Sequence, residues 1–301
     1  MADGASIVGD KTNNYVVFDK PNQVVYTFDL KQFGLPRAVP PKVSAPGLPS
    51  APVSGITGNA ANGIVYFFGN SVSYLTDVNN PKAKWKALPE APFKTGIKGM
   101  CGDLINGIVI HDGTNIAQIK DVFNNPVWLE TNISPRISIA GIAGDGTNGI
   151  AVYRNAQSSG KAPTSDDDGK FIPTVYLFSG QLCGTPTPPP EPKIGIEALF
   201  GDGLNGYIAM GENQLFSLVK NVWVKLASLN FSFNSATGNP KDGVVALLGS
   251  ENYVVTTPDC KVLTLAQVLP ELKPRSGVQA AAAPTSQPVS SAEAPAETMT
   301  A

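Results

Sequence analysis

Short apolar runs of three to five residues recur along the chain, and each follows an Asn-Gly or Asp-Gly pair. The runs are rich in β-branched and aromatic residues and are too short for amphipathic helices, so they predict buried β-strands. Further apolar segments follow after Gly- and Asn-containing turns. The first runs read IVYFF at 64–68, IVI at 108–110, IAVY at 150–153, YIAM at 207–210 and VVALL at 244–248.

The residue that precedes each of these glycines marks an internal repeat. Six copies can be aligned on it, the first being the degenerate SIVGDKTNNYVVFDK at 6–20. Successive anchors are 48, 44, 42, 57 and 37 residues apart, a period typical of β-propellers or of helical HEAT-type repeats. The residue types favour the propeller. The anchors are Asn14, Asn62, Asn106, Asn148, Asn205 and Asp242.

All three tryptophans fall at one position of the repeat, 23, 22 and 18 residues after their anchors. They lie in the third apolar segment after the anchor. Together with a short strand before the anchor, the three apolar segments give about four strands per repeat. Six four-stranded units are typical of a six-bladed β-propeller. We therefore predict an all-β fold, a single propeller of four-stranded antiparallel blades over residues 1–273. Residues 274–301 contain no Leu, Ile or aromatic residue and are expected to form a flexible or partner-docking tail.

These repeats resemble those of β-propeller proteins. A tryptophan late in the repeat is similar to the kelch pattern, although the kelch double glycine is missing. WD dipeptides and the Asp-boxes of sialidases are missing too. The resemblance thus concerns architecture and implies no particular activity.

Composition excludes several functional classes. The 22 basic and 24 acidic residues give a net charge of −2 with no basic stripe, which disfavours nucleic-acid binding. No apolar stretch approaches the length of a membrane-spanning helix, and the first 20 residues lack the pattern of a secretory signal. The three cysteines form neither a zinc pattern nor a disulfide framework.

The strings GDGTNG at 144–149 and GDGLNG at 201–206 match the dinucleotide-binding pattern G-x-G-x-x-G. That pattern must open a helix, whereas short β-prone runs follow both strings. Degraded copies at 58–63 and 102–107 lack the middle glycine. We therefore expect no cofactor and interpret the strings as β-turns with Asn and Gly at positive φ.

Three aspartates, Asp103, Asp145 and Asp202, recur just before the turn and would cluster on one rim of a propeller. A ring of carboxylates can bind a cation or serve acid–base chemistry, but Asx-turns explain the same residues and are favoured. We expect no catalytic residue and no metal site. The single histidine, His111, lies at a strand end without a supporting catalytic motif.

Trp85, Trp128 and Trp223 allow two interpretations. Packing between blades is favoured because aromatic side chains dominate protein cores. The alternative is that these indoles stack on sugars in sites between blades, which would make the protein a carbohydrate-binding propeller.

The leading functional hypothesis is a non-enzymatic propeller that serves structure or protein–protein interaction. Low charge, Gly/Asn/Thr/Pro-rich β character and a low-complexity tail are similar in style to propeller-containing structural proteins of tailed bacteriophages. This resemblance implies a virion component, made in the host cytoplasm, whose partners are other structural proteins or further copies of itself. A carbohydrate-binding propeller with glycan partners is the alternative, a glycosidase on the rim is the third possibility, and a cytoplasmic location is the alternative to the virion.

Overall fold

The computed structural model describes twelve stretches of the chain and contains only β-strands and turns within them. Accordingly, the described part of the chain holds no helix that could cross a membrane. The described stretches are residues 6–19, 24–28, 53–80, 82–131, 138–154, 175–178, 196–211, 213–219, 221–228, 235–248, 252–256 and 262–264.

The strands form six antiparallel sheets, which we call blades 1 to 6 in chain order, and consecutive strands pair within each sheet. Blades 1 to 3 are β1 (Ser6–Asp10), β2 (Asn14–Asp19) and β3 (Val24–Phe28); β4 (Gly55–Asn59), β5 (Gly63–Phe68), β6 (Ser71–Leu75) and β7 (Lys86–Ala87); and β8 (Gly99–Asp103), β9 (Gly107–His111), β10 (Ile116–Ile119) and β11 (Leu129–Thr131).

Blades 4 to 6 continue the same meander. They are β12 (Gly141–Asp145), β13 (Gly149–Tyr153) and β14 (Val175–Phe178); β15 (Ala198–Asp202), β16 (Gly206–Gly211), β17 (Gln214–Val219) and β18 (Val222–Ser228); and β19 (Ser235–Asn239), β20 (Gly243–Leu248), β21 (Asn252–Thr256) and β22 (Val262–Thr264).

The first strands of the six blades surround a common axis. Each contacts the first strand of the next blade, and β19 of blade 6 contacts β1 of blade 1, which closes the ring. The predicted all-β propeller is thus confirmed. Four blades have the four strands expected, while blades 1 and 4 have three strands within the described residues. The proposed tail at 274–301 lies outside the described residues.

Hydrogen bonds from side chains join the two ends of the chain where the ring closes. The backbone N–H of Ile7 donates to Oγ of Ser235 at 3.1 Å, and Oγ1 of Thr237 donates to the carbonyl of Gly9 at 2.8 Å. Within the described residues, blades 1 and 6 are each built from consecutive strands, and these side-chain bonds join the first strands of the two blades.

The core lies in the seams between neighbouring blades. Ile108, Val109 and Ile110 of blade 3 are all fully buried. Ile108 and Ile110 join the apolar cluster shared with blade 2, whereas Val109 joins the cluster shared with blade 4. A strand between two blades is covered on both faces, which explains why the runs are continuously apolar instead of alternating.

Candidate functional site: the axial cavity and its turns

A cavity of about 110 Å³ lies on the axis, where the six first strands end. Each blade contributes a glycine and the following Asp or Asn to its lining, and Thr237 adds a hydroxyl. The lining pairs are Gly9–Asp10, Gly58–Asn59, Gly102–Asp103, Gly144–Asp145, Gly201–Asp202 and Gly238–Asn239. We call this the axial cavity, and the side of the propeller that carries the adjoining turns the turn face.

The three predicted aspartates all line the axial cavity, and each closes a turn. In Asp145, Oδ1 accepts the backbone N–H groups of Thr147 and Asn148 at 2.8 and 2.6 Å, and Oδ2 accepts the Asn148 side-chain amide at 2.9 Å. Asp103 and Asp202 accept equivalent bonds. These aspartates therefore form Asx-turns, the interpretation favoured from sequence.

Sequence reasoning missed the other three members of the ring. Asp10, Asn59 and Asn239 make equivalent turn contacts, so Asp or Asn occupies this position in every blade. Blade 6 swaps the two side chains, with Asn239 in the first position and Asp242 in the second. The signal was present in the sequence as Gly-Asp or Gly-Asn, whose second residue lies three residues before five of the anchors and four residues before Asn14.

The geometry also corrects the register and the turn type. In blade 1 the anchor side chain that bonds the carboxylate is Asn13, not Asn14. Asn14 instead has a φ of 65° and occupies the position where the other blades have glycine at positive φ. Three residues separate the paired ends of each hairpin, as between Asp103 and Gly107. From Asp103 to Gly107, the single residue with positive φ is Gly107, the residue after the anchor, whereas the two-residue turn expected from the sequence would need two.

A second glycine is required by close approach of the two strands. An ideal Cβ at Gly102 would lie 2.1 Å from the carbonyl oxygen of Gly107, and the φ of Gly102 is 93°. All six first strands have glycine at this position. The recurring glycines of GDGTNG therefore shape a hairpin, and the helix that a dinucleotide fingerprint requires does not follow them.

Four of the six blades, 1, 3, 4 and 5, contribute a carboxylate to the axial cavity. Burial raises the pKa of Asp145, the hydrogen bonds from Asn148 and Thr147 oppose that rise, and the nearby carboxylate of Asp103 adds to it. Oδ2 of Asp103 accepts further bonds from the side-chain amides of Asn59 and Asn62 in blade 2. Within the described residues, no group of three or more His, Cys, Asp or Glu side chains is arranged to hold a metal ion.

The three tryptophans lie at equivalent positions in the seams between blades and are partly buried. Trp85 packs edge-on against Tyr66 with ring centroids 4.6 Å apart, in the seam between blades 1 and 2. Trp128 donates its indole N–H to the carbonyl of Pro89 at 2.8 Å and packs between blades 2 and 3. Trp223 packs between blades 4 and 5.

His111 occupies a core position at the end of β9. It is 2% exposed and pairs with Gly99 across the hairpin. Phe18, Phe67 and Tyr153 take the same register position in other blades. Burial lowers the pKa of His111 to about 4, Asp112 partly opposes this, and Lys98 lowers it further. A neutral, buried imidazole is consistent with a role for His111 in packing the core.

No protein-family model matches the sequence, and no curated protein matches it either. Solved structures that are similar include a streptogramin B lyase (12% identity, 87% of this chain and 82% of that chain, TM-score 0.48). They also include virginiamycin B lyase from Staphylococcus aureus (13%, 88% and 84%, 0.45) and the WD40 repeats of RRP9 (14%, 80% and 68%, 0.44). At these values the similarities carry no argument about function, and the fold assignment rests on the sheets themselves.

Proposed function

We propose that the protein is a non-enzymatic scaffold that binds a partner protein on its turn face. The observation that carries this proposal is a pair of exposed apolar side chains at the turn tips, Ile105 at 61% and Leu204 at 74% exposure. The fold does not require apolar residues there. The other four turns have at the same position Thr12, Ala61, Thr147 and Lys241.

The turns that carry these tips are held rigidly by their neighbours. Oγ1 of Thr147 donates to the carbonyl of Asn106 in the preceding turn at 2.9 Å. A Cβ at Gly203 would lie 1.9 Å from the carbonyl oxygen of Asn148, so the turns of blades 4 and 5 are in close contact. A surface that is ordered before binding loses little conformational entropy when it captures a partner, which favours a recognition role.

Two features support a non-enzymatic role. The turn carboxylates are already hydrogen-bonded to backbone and amide groups, and the one histidine is buried and neutral at physiological pH. The partly buried positions of the tryptophans in the seams do not favour the carbohydrate-binding alternative, because sugar stacking needs an open indole face. A rim glycosidase is likewise not favoured.

The setting that we propose is a virion, in which the scaffold binds another structural protein. Its support is the low charge of the chain, 15% of residues with a net charge of −2, which suits a protein that is permanently associated. The partner would present an apolar patch to the two tips and basic groups to the carboxylates of the axial cavity.

Site-specific cross-linking tests this function. A photo-reactive side chain at position 147, between the two apolar tips, should capture one partner when the protein is co-expressed with the products of its neighbouring genes. Replacing Ile105 and Leu204 by threonine, which the turn of blade 4 already has, should abolish the cross-link and leave the fold intact. Capture of the same partner at unchanged yield by this variant, or by a probe at exposed Thr114, in the turn between β9 and β10 at the opposite end of the strands, would contradict the proposal.

A further inference from the structure

Residues 111–115, which we call the junction turn, connect β9 to β10 at the end of the strands opposite the turn face. The turn also holds two neighbouring segments of the chain. The backbone N–H of Lys98 donates to the carbonyl of His111 at 2.8 Å, and that of Ile139 donates to the carbonyl of Gly113 at 2.8 Å. Lys98 lies directly before β8 and Ile139 lies just before β12, so one turn fixes the chain where it enters blade 3 and where it enters blade 4.

The imidazole of His111 closes the junction turn from the inside. Its Nδ1 accepts the backbone N–H of Gly113 at 3.2 Å, in a buried position. Nδ1 can accept this bond only while it carries no proton, so the neutral ring has its proton on Nε2. A second proton would have to occupy the lone pair to which the Gly113 N–H is directed, and two donors would then oppose each other. Protonation of the ring and closure of the turn therefore exclude one another.

The described groups around the imidazole are poorly placed to receive a positive charge. Nε2 lies against Gly99, where a Cβ would be only 2.3 Å away from it. The like charge of Lys98 disfavours the charged ring, whereas Asp112 favours it. The carboxylate of Asp112 is already engaged in four hydrogen bonds, which come from the backbone N–H groups of Thr114 and Asn115, the side-chain amide of Asn115 and the hydroxyl of Thr95. It therefore offsets the cost of burying the charge only in part.

His111 is the group of this region whose charge changes between neutral and mildly acid pH. Burial lowers its pKa in the closed turn to about 4, against 6.5 for an ordinary histidine. Burial acts to raise the pKa of Asp112, but its hydrogen bonds hold that pKa below the ordinary value, so the carboxylate keeps its charge. The thiol of Cys101 and the phenol of Tyr176 lie in the same seam and gain no charge when pH falls. An open turn thus binds a proton that the closed turn does not, and opening becomes easier as pH decreases below 6.5.

Blade 3 is the blade in which this register position carries an ionisable base. Each of the other five blades has a side chain there that gains no charge in acid. These side chains are Phe18, Phe67, Tyr153, Met210 and Leu247. Acid therefore acts on one junction of the ring and leaves the equivalent junctions unchanged.

We propose that the junction turn is an acid-sensitive switch, in which protonation of His111 opens residues 111–115 and releases the segments that enter blades 3 and 4. Local units of a fold can open below the free energy of global unfolding, and protonated histidines bias such units. The released segments carry Ile97 and Ile139, which are buried at neutral pH. The bonds that Thr57 and Thr237 make between first strands involve no ionisable group, so the ring stays closed. This switch lies opposite the turn face and is independent of whatever binds there.

Amide hydrogen exchange resolved by NMR, at about pH 7.5 and at about pH 5, tests the proposal. The ratio of the observed rate to the intrinsic rate at each pH gives the opening equilibrium constant of each amide. For the amides of Lys98 and Ile139 this constant should rise about thirty-fold at the lower pH, as expected for the uptake of one proton by His111. The matched controls are the amides of Ser54 and Glu197, which make the equivalent bonds to the carbonyls of Phe67 and Met210 in blades 2 and 5.

The dependence on urea separates opening of the junction turn from unfolding of the whole propeller. Local opening exposes little surface, so at about pH 5 the opening constants of Lys98 and Ile139 should exceed those of the controls and should not change in dilute urea. Constants that equal those of Ser54 and Glu197 and rise steeply with urea would show global unfolding and overturn the proposal. So would the absence of any rise at the lower pH.

His111→Phe identifies the titrating group. Its side chain is the one that blades 1 and 2 have at this position, and it removes the ionisable ring while the backbone bonds of Lys98 and Ile139 stay available. In this variant the opening constants of these two amides should be the same at both pH values. A thirty-fold rise that persists in the folded variant would assign the response to another group and overturn the proposal.

Discussion

Replacing His111 by phenylalanine should remove a large part of the acid sensitivity of this fold. His111 is the only histidine of the chain, so the change isolates one imidazole. Phenylalanine already occupies the equivalent positions in blades 1 and 2, as Phe18 and Phe67. The ring has room because Gly99, its cross-strand partner, has no side chain: a Cβ there would lie 2.3 Å from Nε2.

The magnitude follows from the depressed pKa. Burial lowers the pKa of folded His111 to about 4, against 6.5 for an ordinary histidine. Between these values the unfolded chain binds a proton that the folded chain does not, so stability is complete above the higher value and falls as pH decreases towards the lower one. At pH 5 the free energy of unfolding should be reduced by about 2 kcal/mol relative to neutral pH.

Urea unfolding followed by tryptophan fluorescence at neutral pH and at about pH 5 measures this effect. The variant loses the acceptor that Nδ1 offers to the Gly113 N–H at 3.2 Å, which shifts its stability equally at both pH values. Carboxylates titrate in both proteins and cancel, so the stability of His111→Phe relative to wild type should rise by about 2 kcal/mol at the lower pH. A pH-independent difference, or an imidazole NMR resonance that titrates near its ordinary value in the folded protein, would refute the reasoning.

Other substitutions test the contacts that hold the first strands together around the axial cavity, and urea unfolding measures each of them. Gly102→Ala should cost more than about 2 kcal/mol because its Cβ would meet a strand carbonyl, whereas Gly69→Ala, where a Cβ meets nothing within 4 Å, should cost only about 1 kcal/mol. Thr237→Val and Thr57→Val each remove one hydroxyl bond of 2.8 Å between blades and should each cost about 1 kcal/mol; a much larger loss for Thr237 would show that ring closure is the weakest seam. The stability of Asp145→Asn relative to wild type should rise as pH increases from 3.8 through the raised pKa of the carboxyl and stay constant above it, because burial makes ionisation unfavourable in the fold; a stability difference that is equal at acid and neutral pH would contradict this.

Some positions of the six turns have the same residue types in every blade, whereas others vary between blades. The Gly-Asp or Gly-Asn pair recurs in all six turns, because the strands approach closely there and the side chain replaces backbone partners of the loop. The middle positions of the turns have no such constraint. Exposed Ile105 and Leu204 at two of these positions are the residues on which the proposed partner contact rests.

The sequence by itself determined the all-β propeller, its six repeats and the equivalence of the three tryptophans. Short runs that are apolar on both faces, separated by Gly and Asn at a regular period, are local patterns that record burial between blades and tight turns. The same local patterns excluded a dinucleotide site at GDGTNG, because no helix could follow it.

Only the tertiary structure decided which residues meet on the axis and at ring closure. Asp10, Asn59 and Asn239 join Asp103, Asp145 and Asp202 around one cavity, although hairpins far apart in the chain supply them. The core position of His111 and the Thr237–Gly9 bond also depend on partners in other strands or blades. A repeat pattern records the environment of a residue within its own blade, whereas the identity of its neighbour across a seam is fixed only when the ring closes.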